Sequence, residues 1–231
     1  MAAAGLTKKE LKQPDEFHTI GWKVMQYISE NRKKFYIAGA VVLVIVILSG
    51  GWYLYRSNYE RAAEDIYSSA YNSYSLPGDN GGDMKAAYAK AIEIYTDLVK
   101  KYPASNAATR SFYNMGNIHF NTGETEKSIE AYKTFLKKSH KNNVLTTLAY
   151  YGLGYCYEEK EDYDNALKSF ENSLKGTNGT RFESINYANI ARIYEKMNKQ
   201  EAALDSYRKA LEKAEDPLLE MMVKNRITAL N

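Results

Sequence analysis

The side chains in this sequence best suited to chemistry are three histidines, one cysteine, an acidic glycine-rich turn and an unusual number of tyrosines. His18, His119 and His140 fall on separate segments, so they offer no shared metal site. His119 stands at a packing position of a helical pattern and reads as a satisfied core histidine. Cys156 is the single cysteine; it excludes an intramolecular disulfide and reads as a small core residue. The stretch Asp79, Asn80, Gly81, Gly82, Asp83 concentrates acids and glycines. It lacks the ligand spacing and closing glutamate of a calcium loop and reads as a turn. Asn178-Gly179-Thr180 has the form of a glycosylation sequon, with meaning only in a eukaryotic secretory setting. No G-x-x-x-x-G-K-[ST] phosphate loop and no G-x-S-x-G nucleophile elbow occurs. These residues assemble no catalytic, cofactor or metal site, so the chain reads as a non-enzyme without a small-molecule substrate. The 21 tyrosines then become the feature to explain.

Most of the tyrosines recur in register. Tyr150, Leu153-Gly154, Tyr157, Tyr163, Ala166-Leu167, Phe170 and Leu174 are echoed upstream by Phe112, Met115-Gly116, Gly123, Ser128-Ile129, Tyr132 and Phe135-Leu136. Downstream the echo is Tyr187, Ile190-Ala191, Tyr194, Ala203-Leu204, Tyr207 and Ala210-Leu211. The repeat offsets are 38 and 37 residues. A less regular copy precedes them, with Tyr88, Ala91-Ile92, Tyr95, Leu98 and Pro103 as its second helix. Its first helix is expected near residues 57–75. This order of large and small residues resembles the tetratricopeptide repeat, a pair of antiparallel helices that closes its core only against its neighbours. It predicts an all-α solenoid of about four helix pairs, with repeats near 57–103, 109–142, 147–180 and 184–217. A cap over 218–231 follows, its apolar surface supplied by Leu218, Leu219, Met222 and Ile227 behind Pro217.

The repeat resemblance implies a concave groove lined by first-helix positions, which fall here on Arg110, Tyr113, Asn117, Phe120, Tyr151, Tyr155 and Arg192. Aromatic rings and arginines of this kind grip extended polypeptide at low entropy cost. The version of the repeat that captures a terminal carboxylate has a lysine where this chain has Tyr113 and Tyr151, which argues against that mode.

Ahead of the repeats, no charged residue occurs between Lys34 and Arg56. Residues 35–55, at about 1.5 Å per residue, span roughly 31 Å as a helix, close to the hydrocarbon thickness of a bilayer. Aromatic residues stand at both ends, Phe35 and Tyr36 at one and Trp52, Tyr53 and Tyr55 at the other, where headgroup regions favour them. Residues 1–34 carry seven basic and four acidic side chains, so the positive-inside rule places the N-terminus in the cytoplasm. Ser49-Gly50-Gly51 resembles a signal-peptide cleavage site, but the preceding leader and the apolar run both exceed the dimensions of a signal peptide, and an uncleaved anchor is expected. Small residues around Gly39 and Gly50 share a helix face that a neighbouring membrane helix could approach; small residues also simply collect near helix ends. Within the leader, Phe17, Ile20, Val24 and Ile28 predict a short amphipathic helix opening at Pro14-Asp15-Glu16. Its apolar face suits a membrane surface or a partner, and an ordinary juxtamembrane helix fits as well. Residues 35–231 carry 24 charges of each sign, and a domain with no basic excess is a poor nucleic-acid binder.

The run Asp216-Pro217-Leu218-Leu219-Glu220-Met221-Met222-Val223-Lys224-Asn225-Arg226-Ile227, with Gly51-Trp52 at the exit of the span, resembles the bacterial ancillary SecYEG translocon subunit family (YfgM-like). That resemblance implies a single-pass inner-membrane protein with a periplasmic repeat domain. It also implies protein partners: Sec translocon components, periplasmic chaperones or exported clients. A structural scaffold for envelope or outer-membrane assembly, or for cell-division coordination, uses the same architecture.

Overall fold

The computed structural model describes residues 16–75, 83–139, 144–176 and 182–230, all-α among the described residues. The lysine cluster of residues 1–15, positions 79–82 of the acidic turn, His140 and the sequon at 178–180 lie outside them, as does the His18 side chain. The chain divides into two compact units, residues 1–57 and 58–231.

The first unit holds α1 (Glu16–Glu30) and the beginning of α2 (Arg32–Ser75). Asn31 separates them, and its carbonyl accepts from Lys34 N–H at 2.9 Å to open the second helix. Within α2, residues 35–55 are exposed to a residue, and α2 is long and apolar enough to cross a membrane. Helix α2 continues without a break to Ser75. A Cβ added at Gly39 or Gly50 would meet nothing of this chain within 4 Å.

The second unit is a solenoid. The end of α2 with α3 (Met84–Lys101), α4 (Asn106–Asn121) with α5 (Thr125–Lys138), α6 (Val144–Glu159) with α7 (Tyr163–Leu174), and α8 (Phe182–Lys196) with α9 (Gln200–Glu212) form the pairs. Helix α10 (Pro217–Leu230) closes the stack. Local chemistry sets the starts: Ser105 accepts from Ala108 N–H at 3.0 Å and Asp162 from Asn165 N–H at 3.3 Å. The turns inside the last three pairs repeat as well. Gly123, Glu161 and Asn198 all adopt positive φ, at 75°, 58° and 57°, and they recur at the 38- and 37-residue offsets of the packing pattern. Only the first is glycine, the residue that takes this conformation without a steric cost.

The cores straddle the seams between pairs. Ala63, Ala91, Tyr95 and Ala107 bring α2, α3 and α4 together, and Ala166, Phe170, Ile190 and Ile193 bring α7 onto α8. No pair closes alone, as the repeat architecture requires. In α10, buried Val223 with half-buried Leu219, Ile227 and Leu230 seals the last seam. Leu218 and Met222 differ from the expectation that they help cover the stack: both are more than half exposed, because positions four apart align on one helix face and 219, 223 and 227 take the inward one.

Glycines admit the largest rings. A Cβ on Gly154 would lie 2.5 Å from Phe170 Cε1, and Cβ atoms on Gly116 and Gly152 would lie 2.7 and 2.6 Å from the two sides of the Tyr132 ring. Gly154→Ala gains about 1 kcal/mol of helix propensity against roughly 1–3 kcal/mol of overpacking on a ring buried on all sides. A net loss is expected, read as a lower urea midpoint of the full chain in detergent; an unchanged or higher midpoint would contradict it.

Candidate functional site: the first-helix face

The seven groove positions lie on α4, α6 and α8, the first helices of consecutive pairs, and each is half-buried. Their surroundings differ. Arg110 is ion-paired with Glu64 and lies over the Tyr67 ring at 4.3 Å. Tyr113 packs inward against Tyr132 and Phe135, at centroid distances of 6.0 and 5.7 Å. Asn117 accepts a 2.6 Å hydrogen bond from the Tyr132 hydroxyl, whose ring threads between Gly116 and Gly152. Phe120 faces Tyr155 at 6.5 Å across the seam between α4 and α6. Tyr151 and Tyr155 meet edge to face at 4.9 Å, with hydroxyls 2.9 Å apart. Arg192 is ion-paired with Glu158 and donates to Asn189 Oδ1 at 3.0 Å.

Phe120, Tyr151, Tyr155 and Arg192 therefore form one connected strip. Arg110 instead pairs back onto α2, and Tyr113 packs onto α5 within its own pair. Both arginines already hold carboxylates, so their charge toward an incoming polypeptide is largely compensated.

Five participants escaped the sequence pattern: Tyr67, Asn114, Gly152, Glu158 and Asn189. Asn114 donates to the hydroxyls of Tyr67 at 2.9 Å and Tyr95 at 2.8 Å, and Asn189 accepts from Tyr155 at 3.2 Å. Asparagine amides thus satisfy the polar ends of buried tyrosines, which lets the rings serve as core without orphaned hydroxyls. Glu158, 7% exposed, is held between Arg192 and Lys196, the latter at 2.9 Å. A usable signal existed: Tyr155 with Asn189 and Glu158 with Arg192 are each 34 residues apart, about one helical turn short of the 37-residue packing offset. Contacts across adjacent first helices run one turn off equivalent positions.

His119 is buried and bonds through Nδ1 to Glu124 at 2.7 Å. Hydrogen bonds from Lys127 and His119 hold the Glu124 carboxyl down at about 2. Buried Cys156 lies 3.2 Å from Ser128 Oγ, and burial pushes its thiol up. Among the described residues no cluster of three metal-ligating side chains forms.

Burial raises the hydroxyls of Tyr95, Tyr132 and Tyr155 above the ordinary tyrosine value, and burial with the Glu195 carboxylate brings Tyr207 up to about 12. The fold holds these protons where an unfolded chain releases them. Their contribution to stability is fully present below pH 10 and is lost as pH climbs through the folded values. Helical circular dichroism and tyrosinate absorbance should therefore change together, in one steep transition above about pH 10. Gradual ionisation with helicity retained would contradict this.

Three tetratricopeptide repeat models match the chain, over residues 83–105, 109–137 and 145–216. Among solved structures, a tetratricopeptide repeat protein from Parabacteroides merdae is similar with a TM-score of 0.59 and 16% identity, covering 74% of this chain and 60% of that one. MamA from Desulfovibrio magneticus RS-1, residues 41 to the end, is similar with a TM-score of 0.55 and 15% identity, covering 75% and 84%. A comparison with curated proteins finds no match. Fold and face together define a protein-protein interaction module. The chain is a tetratricopeptide repeat protein with a long apolar helix ahead of its repeats.

Proposed function

We propose that this protein is anchored in the bacterial inner membrane by residues 35–55, with its N-terminus in the cytoplasm and its repeat domain in the periplasm. There it acts beside the Sec translocon as a non-enzymatic, chaperone-like holder of newly exported chains. The observation that carries this reading is the division of the sequence: basic residues gather before an uncharged run of bilayer length, and an electrically neutral repeat domain follows it. The strip from Phe120 through Tyr155 to Arg192 offers rings with satisfied hydroxyls, a surface that suits extended polypeptide more than a defined small molecule. The C-terminal run from Asp216 to Ile227 supports the translocon as the setting by its family resemblance.

Photo-crosslinkers placed at Tyr151 and Phe120 in native membranes, followed by purification of the adducts, test the proposal. Exported proteins, periplasmic chaperones or translocon subunits are expected among the adducts. Repeated recovery of none of these, or of cytoplasmic proteins alone, would overturn it.

A further inference from the structure

The proposed function leaves α1 without a role. In this helix Ile20, Trp22, Val24, Met25 and Tyr27 are each more than half exposed, which is unfavourable for a helix standing free in water. They are not scattered. At 3.6 residues per turn, Val24, Met25 and Ile28 share one face; Ile20 and Tyr27 flank it on one side and Trp22 on the other. Lys23, Gln26 and Glu30 occupy the opposite face, where Gln26 Nε2 donates to Glu30 Oε1 at 3.0 Å. An apolar face with aromatic rings at its margins suits a membrane interface, where such rings sit at headgroup level.

What covers this face follows from its continuity with residues 35–55. Glu30 and Phe35 are five residues apart, so the end of α1 lies within roughly 18 Å of the start of the apolar run in any conformation. The junction is tighter than that limit. The Tyr27 and Phe35 rings meet edge to face at 6.2 Å, which holds the last turn of α1 at the level where the apolar run begins. Hydrogen bonds across the junction pass through Asn31 alone among the described residues. Its N–H and its Nδ2 both donate to the Tyr27 carbonyl at 3.0 Å, and its own carbonyl accepts from Lys34 and Phe35 at 2.9 and 3.2 Å. A side chain competing for the backbone ladder in this way lets one helix depart from the axis of the next. Charge agrees: over residues 20–34, Lys23, Arg32, Lys33 and Lys34 stand against Glu30, four positive charges to one negative, which favours anionic headgroups.

From these observations we infer that α1 lies in the plane of the membrane. Its Val24, Met25 and Ile28 face sinks about 5–10 Å, to the boundary between phospholipid headgroups and acyl chains, and Lys23, Gln26 and Glu30 face water. Lipid is the occupant that the covalent chain itself brings to this face, whereas a protein partner or a second copy has to arrive. Lying across the axis of the apolar run, α1 sets the depth at which residues 35–55 sit. The inference rests on the reading of residues 35–55 as a membrane anchor.

The test uses the full chain in vesicles of phosphatidylcholine and phosphatidylglycerol, with and without lipids brominated at the upper acyl carbons. Trp22 and Trp52 are the only tryptophans. Trp22→Phe with Trp52→Phe clears the background, and Val24→Trp or Gln26→Trp then adds one probe at an exposed position. The Val24→Trp probe should emit at shorter wavelength and be quenched by brominated lipid severalfold more than the Gln26→Trp probe. Aqueous acrylamide should quench the two in the reverse order. Equal quenching at the two positions, or water-like emission from Val24→Trp, would overturn the inference. So would short-wavelength emission untouched by brominated lipid, the signature of a second copy covering the face. Trp22→Phe alone leaves Trp52 to report on the apolar run. If brominated lipid quenches Trp52 but not the Val24→Trp probe, only the placement of α1 fails; if it quenches neither, the anchoring reading fails with it.

Discussion

Phe170→Ala is expected to remove about 3–5 kcal/mol of stability, a large share of the roughly 5–15 kcal/mol that holds a typical domain folded. The ring is fully buried. It occupies the space left by Gly154 and supports Tyr151 and Tyr155 at 6.0 and 5.4 Å, so its removal leaves a cavity that the rigid helix pair cannot close. Because neighbouring repeats share seams, the damage should propagate to α8–α10 and α4–α5. Urea unfolding of the full chain in detergent would show a large fall in midpoint, together with weaker polypeptide capture from loosened tyrosines. A midpoint within experimental error of the parent would contradict this account of the core.

A comparable effect is expected in the other unit. Val44→Asp with Ile45→Asp places two carboxylates at the centre of the apolar run, at roughly 2.5–3.5 kcal/mol each, against only about 0.3–0.6 kcal/mol gained by each apolar residue around them. If residues 35–55 anchor the chain, the variant should appear in the soluble fraction after an alkaline carbonate wash, while the parent stays with the membrane. Retention of the double variant would show that something other than this segment holds the protein there. Protease added to spheroplasts should digest the parent's repeat domain from the periplasmic side; protection would reverse the proposed topology.

The repeat architecture was legible because it is written in spacing. Large and small residues such as Tyr150, Gly154, Ala166 and Phe170 recur at fixed offsets, and helices with a shared period can bury them only by stacking. The cap was legible as an element through Pro217 and its apolar residues. Which of those residues turned inward was not, because the phase of one helix is set by the surface it meets: Val223 went to the core and Met222 to the rim of a cavity. The same limit applied to the groove. Its positions could be assigned to first helices, but Tyr113 packs onto the α5 rings Tyr132 and Phe135 and Arg110 pairs with Glu64, a partner 46 residues away.

By itself the sequence determined helix content, repeat period, the apolar run of bilayer length and the absence of known catalytic motifs, since each depends on neighbours within a few turns or on composition. Only the tertiary structure decided which polar groups meet. The asparagines that satisfy the tyrosine hydroxyls, the carboxylate of Glu158 between two cations and the Asn189 oxygen shared by Tyr155 and Arg192 all depend on how adjacent helices are staggered, and a stagger of one turn leaves the local pattern of either helix unchanged.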